Sequence, residues 1–145
     1  MGAARSWTPI HGGCQCGAVR YRLNAPAKLL SHCHCSMCRK THGAMFATYS
    51  SVARNQLAIE TGLEHLAVYR SSATVQRSFC RICGCALFFE ADEDLGVIDF
   101  ATGTLDGGAH PGHPSEEEMH IFVGSKVPWY EITDGLPQFD EDIEQ

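Results

Sequence analysis

The stretch Cys33-His34-Cys35-Ser36-Met37-Cys38 contains three of the eight cysteines of this chain. The other five lie in two similar clusters, Cys14-Gln15-Cys16 and Cys80-Arg81-Ile82-Cys83-Gly84-Cys85. A thiolate binds zinc at about 2.3 Å, and ligands a few residues apart can converge on one ion without distorting the backbone. Cysteines that form disulfides are usually scattered more widely. The three clusters therefore predict two tetrahedral zinc sites.

Length and charge exclude several classes of protein. The 145 residues suit one domain, with 17 acidic and 11 basic side chains and a formal net charge of −6. The dense charge runs, 116–118 and 140–142, are acidic, which argues against nucleic acid as a partner. With no apolar membrane span and no signal core, the chain is predicted to be cytoplasmic, with no membrane partner. We expect a flexible N-terminus over 1–10, a zinc domain over 11–139 and an acidic tail over 140–145.

Short runs of alternating or β-branched residues predict a mostly β fold. Apolar side chains alternate with arginines in 18–23, which is the period of a half-buried strand. One short helix is predicted over 36–41, with Ser36 as its cap and Gly43 at its end. The tail 127–139, with its prolines and glycine, is predicted to be extended and to cover an edge or a groove. Further strands are predicted at 45–49, 57–60, 66–70, 86–90, 97–101 and 120–123.

Spacing divides the cysteines between two sites. Cys80 and Cys83, followed by Gly84, have the form of a zinc knuckle, in which the glycine takes a turn conformation that a side chain would hinder. A knuckle supplies two ligands. Cys14 and Cys16 also precede a strand and are best placed to supply the other two. These four cysteines are predicted to form a structural zinc site that joins distant parts of the sheet.

Cys33, Cys35 and Cys38 then supply three ligands of a second site. Three protein ligands leave a fourth position for water or substrate, and this open position distinguishes a catalytic zinc from a structural one. Three thiolates give the ion a net charge of −1, so it would be a weak Lewis acid that is suited to holding a substrate thiolate. The chemistry indicated is sulfur chemistry.

Two alternatives stay open at this second site. Cys85 could close it as a fourth thiolate, or lie buried as a small hydrophobic residue. Burial, or a position beside the metal ligands without binding the ion, is favoured because a residue two positions after a knuckle cysteine must turn away from the knuckle's own zinc. Histidines could also bind metal or carry protons, although ordinary hydrogen bonding is favoured for each of them. The candidates are His32, His34, His42 and His120.

Several runs of sequence together resemble one known family. They are Gly12-Gly-Cys-Gln-Cys-Gly-Ala-Val-Arg-Tyr21, Cys33-His-Cys-Ser-Met-Cys-Arg-Lys-Thr-His-Gly43, Phe79-Cys-Arg-Ile-Cys-Gly84, His120-Ile-Phe-Val-Gly-Ser-Lys-Val-Pro-Trp129 and Asp134-Gly-Leu-Pro137. In order and spacing they resemble the glutathione-dependent formaldehyde-activating enzyme family, also called the GFA or CENP-V-like family. The resemblance implies a β-tent fold with zinc-stapled antiparallel sheets and the same division of the cysteines into a structural and a catalytic zinc site.

The resemblance also implies an activity. Members of the family are carbon–sulfur lyases that act in the direction of adding formaldehyde to glutathione to give S-hydroxymethylglutathione. We therefore expect a lyase with two Zn²⁺ ions, and glutathione or another small thiol as co-substrate. Arg39, Lys40 and Lys126 are candidate anchors for an acidic thiol peptide. The alternative is a non-catalytic zinc-binding interaction module, which the absence of a basic or low-complexity extension disfavours.

Overall fold

Ten short strands and one α-helix, joined by turns and 3-10 segments, form the regular structure of residues 6–143, the part of the chain that this computed structural model describes. The helix, α1, spans Ser36–His42. The mostly β class predicted from the sequence is confirmed. The strands are β1 (Ile10–Gly13), β2 (Arg20–Leu23), β3 (Leu29–Cys33), β4 (Ala47–Ala53), β5 (Leu57–Thr61), β6 (Leu66–Arg70), β7 (Val75–Cys80), β8 (Ala86–Ala91), β9 (Val97–Ala101) and β10 (Glu118–Ile121).

The strands form two sheets. The small sheet has the order β1-β2-β5, and the large sheet has the order β10-β3-β4-β9-β8-β7-β6. Neighbouring strands are antiparallel except for β10 and β3, which are parallel. A parallel pair needs a long crossover, and β10, which is far along the chain from β3, accordingly pairs with it as the edge strand of the sheet.

Three strands were not expected from the sequence. Both β3 and β7 have consecutive buried residues instead of a clean alternation, so they lack the period of a half-buried strand. β1 ends in two glycines, which are usually depleted in strands. Gly12 is required there because a Cβ atom would lie 2.5 Å from the ring of Tyr21.

Apolar side chains cover both faces of the large sheet. The first cluster packs between the two sheets, where the Tyr21 and Phe88 rings meet edge to face at 5.3 Å between centroids. The second cluster includes Cys33, Cys38 and Tyr49. Because side chains alternate along a strand, the odd-numbered residues of β4 and β9 face this second cluster and the even-numbered ones face the first.

Both ends of the described chain pack on these sheets. Trp7 Nε1 donates a hydrogen bond to Leu23 O at 3.0 Å, so this part of the segment predicted to be flexible belongs to the folded domain. The tail runs along β10, with Phe139 N donating to His120 O at 3.0 Å. The prediction that the tail covers a sheet edge is confirmed.

Residues 1–5 and 144–145, which belong to the predicted flexible N-terminus and acidic tail, lie outside the described part. Between residues 6 and 143, no helix is long and apolar enough to cross a membrane.

Candidate metal centres and the adjoining cavity

The structure brings Cys14, Cys16, Cys80 and Cys83 together, with their sulfur atoms all within 4.8 Å of one another. The Cys16 sulfur lies 3.5 Å from that of Cys14 and 3.8 Å from that of Cys80. A tetrahedron with Zn–S bonds of about 2.3 Å has sulfurs about 3.8 Å apart. The donor set and its spacing therefore fit a zinc ion.

Local backbone geometry aims these sulfurs. Gly84 takes a φ of 79°, the left-handed turn predicted for the knuckle. Val19 N donates to the Cys14 sulfur at 3.3 Å, which is the kind of contact that stabilises a thiolate. The small sheet supplies one pair of cysteines and the large sheet supplies the other. A metal ion held here would tie the two sheets together.

The second group joins the end of β3 to the start of α1. Its members, Cys33, Cys35 and Cys38, have sulfurs within 4.8 Å of one another. Cys35 is the N-cap of α1, since its sulfur accepts a hydrogen bond from Cys38 N at 3.3 Å. The prediction that Ser36 caps the helix is therefore wrong, because the preceding thiol takes that role. The predicted end at Gly43 is confirmed by its left-handed conformation, with φ 59°.

Three thiols also fit zinc in their chemistry, because soft sulfur ligands select this metal and three of them leave one position free. Contacts with the thiols of Cys33 and Cys38 lower the pKa of Cys35, so one sulfur in the group readily becomes a thiolate. The group can therefore hold a metal ion.

Arg77 lies beside this group, and the sequence analysis missed it. The residue is only 5% exposed. Its Nη2 atom lies 3.5 Å from the Cys38 sulfur, its Nη1 atom donates to Tyr49 Oη at 3.2 Å, and its Nε atom donates to Ser71 Oγ at 2.9 Å. The guanidinium also stacks on Phe89, 5.0 Å from the ring centroid. A buried cation therefore offsets the negative charge that the thiolates would bring. No local signal marks this residue, because an arginine in a strand is usually exposed.

The histidines make hydrogen bonds, as the favoured interpretation predicted. His34 Nε2 lies 2.8 Å from His120 Nδ1, and His120 Nε2 lies 2.8 Å from Asp134 Oδ2. His32 pairs with Thr48 and His42 with Tyr49. Burial lowers the pKa of His34 to about 4, so this ring is neutral at physiological pH. None of the four histidines belongs to either cysteine group among residues 6–143.

Cys85 lies outside both groups and packs against the core between the two sheets. Burial raises the pKa of its thiol, which keeps it protonated. The side chain is partly buried, so the structure places it against the core, as the favoured prediction has it, without burying it fully.

A cavity of about 330 Å³ opens beside Cys33, Cys35 and Cys38, all three of which line its wall. Its remaining wall is largely apolar and comes from the odd-numbered face of the large sheet, with Leu29, Val75, Phe89 and Val97 among its members. Asp99 also lines the cavity, and its carboxylate accepts a hydrogen bond from Ser51 Oγ at 2.5 Å. Burial raises the pKa of Asp99 to about 6.

The three cations predicted as anchors do not line this cavity. Arg39 donates from Nε to His34 O at 3.3 Å, and Lys126 donates from Nζ to the carbonyls of Val127 and Tyr130. Lys40 is exposed. Arg39 and Lys126 therefore bond to backbone carbonyls, and Lys40 faces solvent, all outside the lining of the cavity.

The structure is a mostly β domain with two cysteine groups that can hold metal ions, and one of these groups lines a cavity. These features define the class: a β protein with two candidate metal centres. The family model described as glutathione-dependent formaldehyde-activating enzyme matches residues 9–125, and the chain therefore belongs to that family.

Individual proteins agree with this family. A Halomonas elongata protein, provisionally named a glutathione-dependent formaldehyde-activating enzyme, is 29% identical over 130 residues, which are 85% of this chain and 80% of that protein. A Sordaria macrospora protein with the same provisional name is 34% identical over 118 residues, 76% of this chain and 50% of the relative, so the chain spans about half its length. A crystal structure of a Rhodobacter sphaeroides protein superposes with a TM-score of 0.56 at 25% identity, covering 68% of this chain and 89% of the other.

Proposed function

We propose that the protein is a zinc-dependent carbon–sulfur lyase that joins a thiol and a small aldehyde, or releases them from their adduct. In the forward direction the thiol sulfur bonds to the aldehyde carbon, the π electron pair of the carbonyl moves to oxygen, and the thiol proton ends on that oxygen. The names of the relatives indicate formaldehyde as the aldehyde and glutathione as the thiol. An enzymatic role follows from the family; the reaction is our proposal.

One observation carries this proposal. Cys33, Cys35 and Cys38 all line the cavity, so a thiol that enters it arrives beside the three-sulfur group. Zinc held there would supply a position at which the substrate sulfur is bound as a thiolate. The cysteines would serve as ligands, and Cys14, Cys16, Cys80 and Cys83 would hold a second, structural zinc.

The other residues of the wall would support the reaction. Arg77 would balance the charge that accumulates on the sulfurs, since its guanidinium touches Cys38 and is itself buried. The apolar wall would exclude water, which otherwise competes for aldehydes by hydration. The cavity is therefore suited to a small thiol and an aldehyde of few atoms.

The test combines metal analysis with an assay of adduct formation. Protein loaded with zinc is mixed with formaldehyde and glutathione, and the rate of exchange between free and adduct formaldehyde is followed by NMR. We expect faster exchange than in buffer, abolished by Cys35→Ser and retained by the matched variant Cys85→Ser. Zinc-edge absorption should report one additional sulfur ligand when thiol is added.

An interaction module would behave differently. Both metal ions would be held with similar strength, added thiol would leave the zinc-edge spectrum unchanged, and the exchange rate would equal that of buffer. Such results for the wild-type protein with glutathione and a series of smaller thiols would contradict the lyase proposal.

A further inference from the structure

The hydroxyl group of Tyr49 connects the cavity with a histidine outside its wall. Tyr49 lines the cavity together with the three cysteines, and only 6% of its surface is exposed. His42, the last residue of α1, is half-buried and does not belong to the wall. Its Nε2 atom lies 2.7 Å from Tyr49 Oη. The two side chains therefore link the cavity to a ring that solvent reaches.

The hydrogen bond between these two residues has a direction. Burial, and then the charge of Arg77, lower the pKa of His42, so the ring is neutral at physiological pH and one of its nitrogens is an acceptor. The separation of 2.7 Å is typical of an O–H donor, whereas an N–H donor usually lies about 2.9 Å from its acceptor. These observations indicate that the Tyr49 hydroxyl donates to His42 Nε2.

The Tyr49 oxygen keeps one position for a ligand. A hydroxyl oxygen can accept two hydrogen bonds, and a guanidinium can only donate. Arg77 Nη1, at 3.2 Å, takes one of the two positions, and no third partner of Tyr49 Oη lies among residues 6–143. Arg77 Nη2 lies 3.5 Å from the Cys38 sulfur. A single guanidinium therefore joins this acceptor to the sulfur group.

The surroundings of His42 suit a group that takes up a proton and passes it on. Tyr49 from β4 and Arg77 from β7 are the titratable or charged side chains that face it among the described residues. His113 and His120 each pair with a carboxylate, which would hold a proton on the ring, but His42 has no such partner in the described part of the chain. A proton that reaches His42 is therefore not retained there.

We propose that Tyr49 is a catalytic residue of the lyase reaction and that His42 exchanges the proton with it. When the adduct splits, its hydroxyl proton moves to Tyr49 Oη while the Tyr49 proton moves to His42 Nε2. The carbonyl π bond forms, the carbon–sulfur bond breaks, and its electron pair stays on sulfur. His42 then releases its proton to solvent, and the sulfur takes one from solvent as the thiol leaves. The reverse sequence joins thiol and aldehyde.

This relay rests on the proposed function and deepens it. It acts on the hydroxymethyl group of the adduct, and so it applies to glutathione as the thiol. Cys33, Cys35 and Cys38 keep the role of ligands, and Arg77 holds the Tyr49 oxygen in place.

The test applies two variants of the zinc-loaded protein to the exchange assay with formaldehyde and glutathione. His42→Gln can keep a hydrogen bond to Tyr49 but cannot accept a proton, and Tyr49→Phe lacks the hydroxyl. General acid–base groups contribute about 100- to 10,000-fold to a rate. We therefore expect each variant to lose at least about 100-fold of the exchange rate in excess of buffer.

Two matched controls lie outside the cavity wall, the half-buried His65 and the exposed Tyr69. His65→Gln and Tyr69→Phe should keep the wild-type rate. A wild-type rate in His42→Gln would overturn the relay, because a purely structural hydrogen bond to Tyr49 survives that substitution.

A second measurement does not depend on activity. NMR of the histidine ring nitrogens gives the tautomer of His42, whose signals are those missing from the spectrum of His42→Gln. We expect a neutral ring with its proton on Nδ1 and a bare Nε2. A neutral ring with the proton on Nε2 would overturn the proposal, since Tyr49 could then not donate to it.

The results also separate the relay from the lyase proposal. Wild-type exchange no faster than in buffer would contradict both. Wild-type exchange that is faster than in buffer and that both variants retain would contradict the relay alone. Zinc content and the change in zinc-edge absorption on adding thiol should be the same in His42→Gln as in wild type. Their loss in this variant would show that His42 acts through the sulfur group and would overturn the relay.

Discussion

Arg77 Nη2 lies 3.5 Å from the sulfur of Cys38, although 39 positions separate the two residues in the chain. The same strand, β7, also ends in Cys80, a member of the four-cysteine group. One strand therefore contacts both cysteine groups, on the two sides of the large sheet. The position of β7 in that sheet sets the charge environment of the group on the cavity.

The first prediction concerns this arginine. Arg77→Met keeps the length of the side chain and removes its charge and hydrogen bonds. Partners of metal ligands usually change metal affinity or activity by about 10- to 100-fold when they are lost. We expect a decrease of that size in the zinc affinity of the Cys33 group or in the rate of adduct formation.

The control for this variant is Arg70→Met. Arg70 is an exposed arginine on the neighbouring strand β6, and its side chain pairs with Asp92. This substitution should leave both quantities unchanged, because exposed ion pairs contribute little. Equal effects of the two substitutions would show that Arg77 acts only through general stability or net charge.

The second prediction is a metal stoichiometry. Elemental analysis should find two zinc ions per chain, and Cys80→Ser should lose one of them together with the soluble fold, because a structural zinc contributes folding free energy directly. Cys85→Ala is the matched comparison, since Cys85 lies five residues away, packs against the core and belongs to neither group. It should keep both ions. A stable Cys80→Ser variant that retains two ions would contradict the division.

The third prediction is that the two ions differ in lability. Cys33, Cys35 and Cys38 come from one short segment, so metal binding there closes a small loop, whereas the other group joins residues 64 positions apart. Closing the longer loop restricts the unfolded chain more. A mild chelator should therefore remove one ion while the β-sheet circular dichroism persists. Simultaneous loss of both ions with global unfolding would refute this difference.

The fourth prediction follows from the pKa of Asp99, which burial raises to about 6. Between the usual aspartate range near pH 4 and that value, the folded protein binds this proton more tightly than the unfolded chain does. Asp99 therefore reduces the free energy of unfolding as pH rises through this window. Asp99→Asn should be more stable than wild type near neutral pH by at most about 3 kcal/mol, and by less to the extent that the carboxylate is solvated in the cavity.

Thermal unfolding of both proteins across this pH range measures the effect. Release of zinc in acid affects both proteins alike, so the difference between them isolates Asp99. Below about pH 4 the two should be equally stable. A difference that is constant with pH would show that Asp99 does not titrate in this range.

The order of residues by itself determined three features: cysteine spacing determined the two cysteine groups, local patterns determined the left-handed glycines at residues 84 and 43, and short alternating or β-branched runs determined the mostly β class. Ligands one to three residues apart are brought together by local backbone geometry, and a glycine at residue 84 or 43 acts on the turn that contains it. Such features depend on residues that are close together in the chain, and they can therefore be predicted from the sequence.

Tertiary structure decided what surrounds the second group. Arg77, Tyr49 and Asp99 come from β7, β4 and β9, and nothing near them in sequence distinguishes them from exposed polar residues. They share one cavity because the strands pair in one particular register, and a shift of one residue would turn these side chains to the other face of the sheet. Register is set by contacts across the whole sheet, which is why the cysteine groups could be read from sequence and the charges facing the cavity could not.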